Sequence, residues 1–180
     1  MKKTLVILGA LLLLMIPTVA LAEAEDTTPT PAPVTSTPAP IARPRTTLTP
    51  EEKALREEIA ADRQTLKSLR TQASTLSQEN KTLGQQVKTG LQAVKAGTKT
   101  PTSPERIEVL LQTLKGLKES IQATEGQVKE NTQAARTSIA AKDFAAAKTS
   151  VDEAIAVLES RIALKQQVNT ALKELVTLLG

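Results

Sequence analysis

The 180-residue chain carries 23 Lys or Arg against 19 Asp or Glu, and it contains no His, Cys, Trp or Tyr and a single Phe. Without imidazole or thiol it lacks the usual general base at neutral pH, the cysteine nucleophile, the Cys and His ligands of zinc sites and any disulfide framework. Compact cores lean on several large aromatics, so a chain whose apolar residues are mainly Leu, Ile, Val and Ala suits long helices that interlock along a seam.

The N-terminus reads as a Sec signal peptide over residues 1–22. Lys2 and Lys3 supply positive charge, Thr4 to Ile16 is almost wholly apolar, Pro17 interrupts the run, and Ala20 and Ala22 stand at the two positions a signal peptidase reads. The apolar run is short for a bilayer span. No Cys follows it to carry a lipid. The expectation is a secreted, extracytoplasmic protein of the cell envelope or the extracellular space, with no membrane anchor after cleavage. Removing Lys2 and Lys3 from the 23 basic residues, against 19 acidic ones, leaves a net charge of +2. Basic and acidic residues are interspersed along the chain, as on an ordinary solvated helix face. Nucleic-acid binding would call for a basic stripe and stacking aromatics, and it is not expected.

Residues 23–49 form a Pro/Thr-rich spacer in which Pro29, Pro31, Pro33, Pro38, Pro40 and Pro44 alternate with Thr, Ala and Ser. Such a segment has nothing to build a core and favours disordered, polyproline-like conformations. Fully extended it would reach about 80 Å. It is either a stalk or a plain disordered terminus.

Three long helices follow, at about 50–96, 104–141 and 143–179. Thr49-Pro50-Glu51-Glu52 supplies a cap, a proline for the first helical position and a capping-box glutamate. A three-four spacing then runs through Leu55, Ile59, Asp62, Leu66, Leu69 and Ala73 and on to Leu76, Asn80, Leu83, Val87, Gly90 and Val94. This is a heptad seam. Ser103-Pro104-Glu105 repeats the cap, and the second seam runs from Ile107 and Leu110 through Thr124 and Val128 to Ala135 without a break. Lys142-Asp143-Phe144 makes a tight corner with Asp143 as N-cap. The third helix has a wide apolar stripe in which Ile155 and Val176 flank the strict positions, as a helix touching two neighbours requires. The predicted fold is all-α: an elongated antiparallel coiled coil or three-helix bundle, with helix one either packed on the hairpin or projecting from it.

Residues Ala134 to Ala156 (AARTSIAAKDFAAAKTSVDEAIA) resemble one helix-turn-helix corner of a tetratricopeptide repeat, with small residues facing a turn built on Lys-Asp-Phe. The segment does not recur, so no repeat array is implied. The layout as a whole resembles uncharacterised secreted coiled-coil proteins of Gram-positive-type bacteria, which implies an architecture and no activity. Leu48-Thr49-Pro50-Glu51-Glu52 is similar to the Leu-Thr-Pro-Glu helix opening of small Spy-like envelope chaperones.

No catalytic, cofactor-binding or metal-ligating set emerges, and the protein is expected not to be an enzyme. Glu51, Glu52, Glu57 and Glu58 suit a helix start, which favours acids. The polar seam residues are the candidate site. Asn80 occupies a seam position where a lone buried Asn can fix register and partner number, or it faces solvent. Asn131, Lys165 and Asn169 pose the same choice. The functional expectation is an extracytoplasmic interaction or structural protein that meets a protein partner through its helix faces and has room to form a homo-oligomer. The alternative is a Spy-type holdase chaperone.

Overall fold

A computed structural model describes residues 48–180. The expected signal peptide with Ala20 and Ala22, and nearly all of the Pro/Thr-rich spacer, lie outside the described residues. These fold as all-α, with helices α1 (Pro50–Lys95), α2 (Pro104–Ala123), α3 (Gln127–Ala140) and α4 (Phe144–Leu179).

The start of α1 is a reciprocal capping box. The Glu52 amide donates to Thr49 Oγ1 at 3.2 Å and the Thr49 amide donates to Glu52 Oε2 at 2.7 Å, with Pro50 at the first helical position. Every expected seam position from Leu55 to Val94 is buried or half-buried. The helix ends where Gly97 takes a positive φ of 72°, a conformation that carries no Cβ penalty for glycine. The Thr102 amide donates to the Leu178 carbonyl at 3.2 Å, and the Lys99 ammonium donates to the Gly180 carbonyl. The connector is thereby tied to the far end of α4.

The single helix expected over 104–141 is two helices. Thr124 and Glu125 bond back three residues, to Ile121 and Gln122, and Gly126 follows at φ 88°. A tightened last turn leading to a left-handed residue is a helix stop. The Glu130 amide donates to the Gly126 carbonyl at 2.9 Å and starts α3. The next corner matches its expectation. Lys142 adopts φ 63°, and the Lys142 and Asp143 amides donate to the Ile139 and Ser138 carbonyls at 3.0 and 2.8 Å. This is a Schellman turn. Asp143 then caps α4 by accepting from the Ala146 amide at 3.0 Å.

α4 is the spine of the bundle. It shares its largest interface with α1, the next with α3 and a smaller one with α2, which is why its apolar stripe is wide. The arm made of α2 and α3 runs antiparallel to α4, as expected of the hairpin, with Arg106 at the start of α2 paired to Glu174 near the end of α4. The dominant α1/α4 pairing is instead parallel: Asp62 meets Lys148, Ser77 meets Lys165, Asn80 meets Asn169 and Gly90 meets Leu179. Helix one lies on the hairpin along its length and does not project. A chain that goes up, down and up again places its first and last helices in parallel whenever both pack on the same middle element.

Two apolar clusters hold this arrangement. One joins Val87 and Leu91 of α1 to Ile107, Leu110, Leu111 and Leu114 of α2 and to Leu172 and Leu175 of α4. The other joins Ile59 and Leu66 to Val128 and Ala135 of α3 and to Phe144, Val151 and Leu158 of α4. Each fully buried Leu, Ile or Val contributes about 1.5–3 kcal/mol relative to exposure.

Candidate functional site

Between the two clusters α1 and α4 meet through polar side chains. Asn80 Nδ2 donates to the Lys165 carbonyl at 2.9 Å, and Asn80 Oδ1 accepts from Asn169 Nδ2 at 2.9 Å. Asn169, only 7% exposed, also donates to Glu79 Oε2 at 3.3 Å. One turn earlier on α4, Lys165 Nζ donates to Ser77 Oγ at 2.7 Å and to the Ala73 carbonyl at 3.1 Å. A turn before that lies Arg161, 7% exposed, whose Nε has no hydrogen-bond partner.

The helices dictate this grouping. Asn80 falls on the seam of α1 seven residues before Val87, and Lys165 and Asn169 are four apart on one face of α4, so both reach the same turn of α1. Asn80 is half-buried and bonded to α4, so it does not face solvent. Asn131 is half-buried on α3 and is not among the side chains bonded in this layer. Arg161 and Ser77 were not singled out from the sequence. An arginine is ordinarily read as a solvent residue, and the one available signal is that Arg161 falls three residues after Leu158 on the buried face.

Two exposed or half-exposed charge groups clasp the ends of α4. Arg106 makes a two-point bond to Glu174, at 2.6 and 3.0 Å, which holds the Glu174 carboxyl below and the Arg106 guanidinium above their ordinary ranges. Lys148 sits 2.6 Å from Asp152 and 3.3 Å from Asp62, and these carboxylates, Asp152 first, raise its ammonium above the ordinary lysine range despite some desolvation.

The polar layer supplies hydrogen bonds that hold α1 to α4. Among the described residues, no group of three or more His, Cys, Asp or Glu side chains converges as metal ligands, and no helix is long and apolar enough to cross a membrane. An open groove of about 420 Å³ runs between α2 and α4, lined by Leu110, Ala163, Gln167, Thr170, Ala171 and Glu174. It has no titratable pair beyond the Glu174 already engaged by Arg106.

The surface corrects one expectation. In the heptad frame of α1 the basic residues are not interspersed with acidic ones. Lys53, Lys67, Lys81, Lys88 and Lys95 recur at multiples of seven, and Arg56, Arg63 and Arg70 form the adjoining row three residues on. Those eight are all the basic residues of α1, and neither row contains an acid. All are exposed except half-buried Lys88.

Compared with known proteins, the chain matches no family model, no curated protein and no solved structure.

Proposed function

We propose that this is a non-enzymatic, extracytoplasmic helical rod, coiled-coil in character, that acts by presenting its helix faces to a partner, with Asn80 setting the register of α1 on α4. The observation that carries the reading is the unbroken pairing of α1 with α4. A 46-residue helix is about 69 Å long, and it is held to its neighbour by two apolar clusters with a polar layer between them. The product is a stiff, long, polar-sided body, better suited to spanning and docking than to enclosing a substrate. The leader-like residues 1–22 and the Pro/Thr-rich stretch that follows support export and a spaced attachment.

A holdase needs exposed apolar surface for unfolding clients. Among the described residues Val109, 54% exposed, is the large apolar side chain that stands out from the surface, and this favours the docking reading over the chaperone. In-cell crosslinking of the tagged protein, followed by mass spectrometry, separates the two. One or two stoichiometric partners are expected. A broad spread of unrelated, unfolding-prone envelope proteins would contradict the docking role and favour the chaperone.

A further inference from the structure

We infer that the exposed face of α1 is a binding strip for a linear, phosphate-bearing polyanion lying along the helix. This goes beyond the protein-partner reading, since it gives the rod a second kind of ligand. From Lys53 to Lys95 the strip covers 42 helical steps, about 63 Å at 1.5 Å each. Its two rows hold the eight basic residues of α1 and otherwise Ala60, Ser74, Ser77, Gly84 and Leu91, of which Leu91 is buried in the core. The acids of α1 stand elsewhere, at Glu51, Glu52, Glu57, Glu58, Asp62 and Glu79.

The strip's cations are not consumed internally. The ion pairs of Arg106 with Glu174 and of Lys148 with Asp62 and Asp152 take no cation from the strip. From the strip, Arg56 alone makes an aromatic contact, with its guanidinium 6.0 Å from the centre of the Phe144 ring. Seven or eight like charges aligned on one helix repel one another, a cost that a counter-charge laid along them removes.

The chemistry of the ligand follows from what the strip lacks. Protein interfaces draw most of their energy from Trp, Tyr and Arg anchors packed in desolvated pockets, and no exposed large apolar or aromatic side chain stands on this face to pack around the arginines. Base recognition by stacking needs the same missing aromatics. What remains is charge. The charge is one helix wide and recurs along α1 from Lys53 to Lys95, and the only acids in the flanking rows are Glu52 and Glu57, both at the N-terminal end. A line of charge fits a chain of phosphates more closely than a lipid plane, which would meet a broad basic face.

The test uses the full chain and inorganic polyphosphate of graded chain length, with binding measured across a salt series. Binding is expected at low salt and to tighten with polymer length until the strip is filled. The variant Lys67→Gln/Arg70→Gln/Lys81→Gln should bind at least about tenfold more weakly and lower the salt slope by about 2, given ~0.7 per lost contact on a single-stranded polyanion. The variant Lys115→Gln/Lys118→Gln/Lys129→Gln, which removes equal charge from α2 and α3, should bind like the unaltered chain. Circular dichroism of both variants confirms that the helices persist. Equal weakening by the two variants, or no binding of any length at low salt, would overturn the proposal. So would preference for anionic lipid vesicles or for a single-stranded oligonucleotide over polyphosphate of matched charge. Because the assay uses purified components, its failure leaves the crosslinking result standing, and the reverse also holds.

Discussion

Gly84 and Gly90 both lie inside α1, yet alanine should act on them in opposite directions. A Cβ added at Gly84 meets nothing within 4 Å, whereas one at Gly90 would stand 2.9 Å from Leu179 Cβ and 3.2 Å from its Cδ1. Gly84→Ala is therefore expected to stabilise by about 1 kcal/mol, the helix-propensity difference. Gly90→Ala should lower the melting temperature despite the same propensity gain, because Leu179 is held in the core and α1 must move away from α4. If thermal melts of the two variants moved together, the close approach at Gly90 would be wrong. Arg161 offers a second residue-scale test. Its buried Nε has no partner, and replacing an unsatisfied buried donor by an apolar side chain of similar length removes a desolvation cost. Arg161→Met is expected to raise stability by about 1 kcal/mol or more in a urea titration. A loss would show that the guanidinium finds a partner in solution.

At the scale of elements, the polar layer between α1 and α4 makes a coupled prediction. Asn80→Leu removes the nearer of two acceptors for a nearly buried Asn169 amide and the donor to the Lys165 carbonyl, and should cost about 1–2 kcal/mol. Combining it with Asn169→Leu should recover most of that loss, giving a large coupling energy in a double-mutant cycle, while a second apolar register becomes accessible. Additive losses would mean that the two side chains do not act as a pair. The layer was partly legible in sequence, because Asn80, Lys165 and Asn169 stand out as polar residues among the seam positions, but their pairing was not. Which turn of α4 faces Asn80 depends on the parallel offset of two helices separated by the whole α2–α3 arm. The helix stop at Thr124–Gly126 was masked for a related reason: Thr124 and Val128 keep the three-four spacing across it, and a continuous period hides a change of axis. The basic strip escaped notice because linear order mixes Glu57, Glu58 and Asp62 among Arg56 and Arg63, and the two signs separate only when the helix is wound.

For the molecule as a whole, the seams, the Thr49 capping box and the tight Lys142 corner follow from local rules, and so the helices and their apolar faces were readable. The direction of the largest interface was not, since a short corner fixes only the relation between sequence neighbours. Ser103, expected to repeat the cap, precedes α2 without a side-chain cap bond, and Arg106 rather than an acid stands at the third helical position. Charge also acts at this scale. Glu174 titrates below the ordinary carboxylate range because Arg106 binds it, so the clasp between α2 and the end of α4 is present above the unfolded carboxylate value and is lost as pH falls through the lowered folded one. Melting should therefore decline only slightly on acidification through that window, the pair being solvent-exposed, and Glu174→Gln should flatten the decline. An unchanged pH profile in that variant would remove the clasp from the account.

Everything proposed for the strip and the polar layer rests on α1 lying along α4 over its full length. Amide hydrogen exchange of the full chain tests this most directly. Protection in α1 is expected to extend from about Leu55 to Val94 and to match that of α4, with both helices released in one cooperative step. Fast exchange along α1 while α3 and α4 stay protected would mean that α1 projects as a separate stalk, and would contradict the parallel bundle described here.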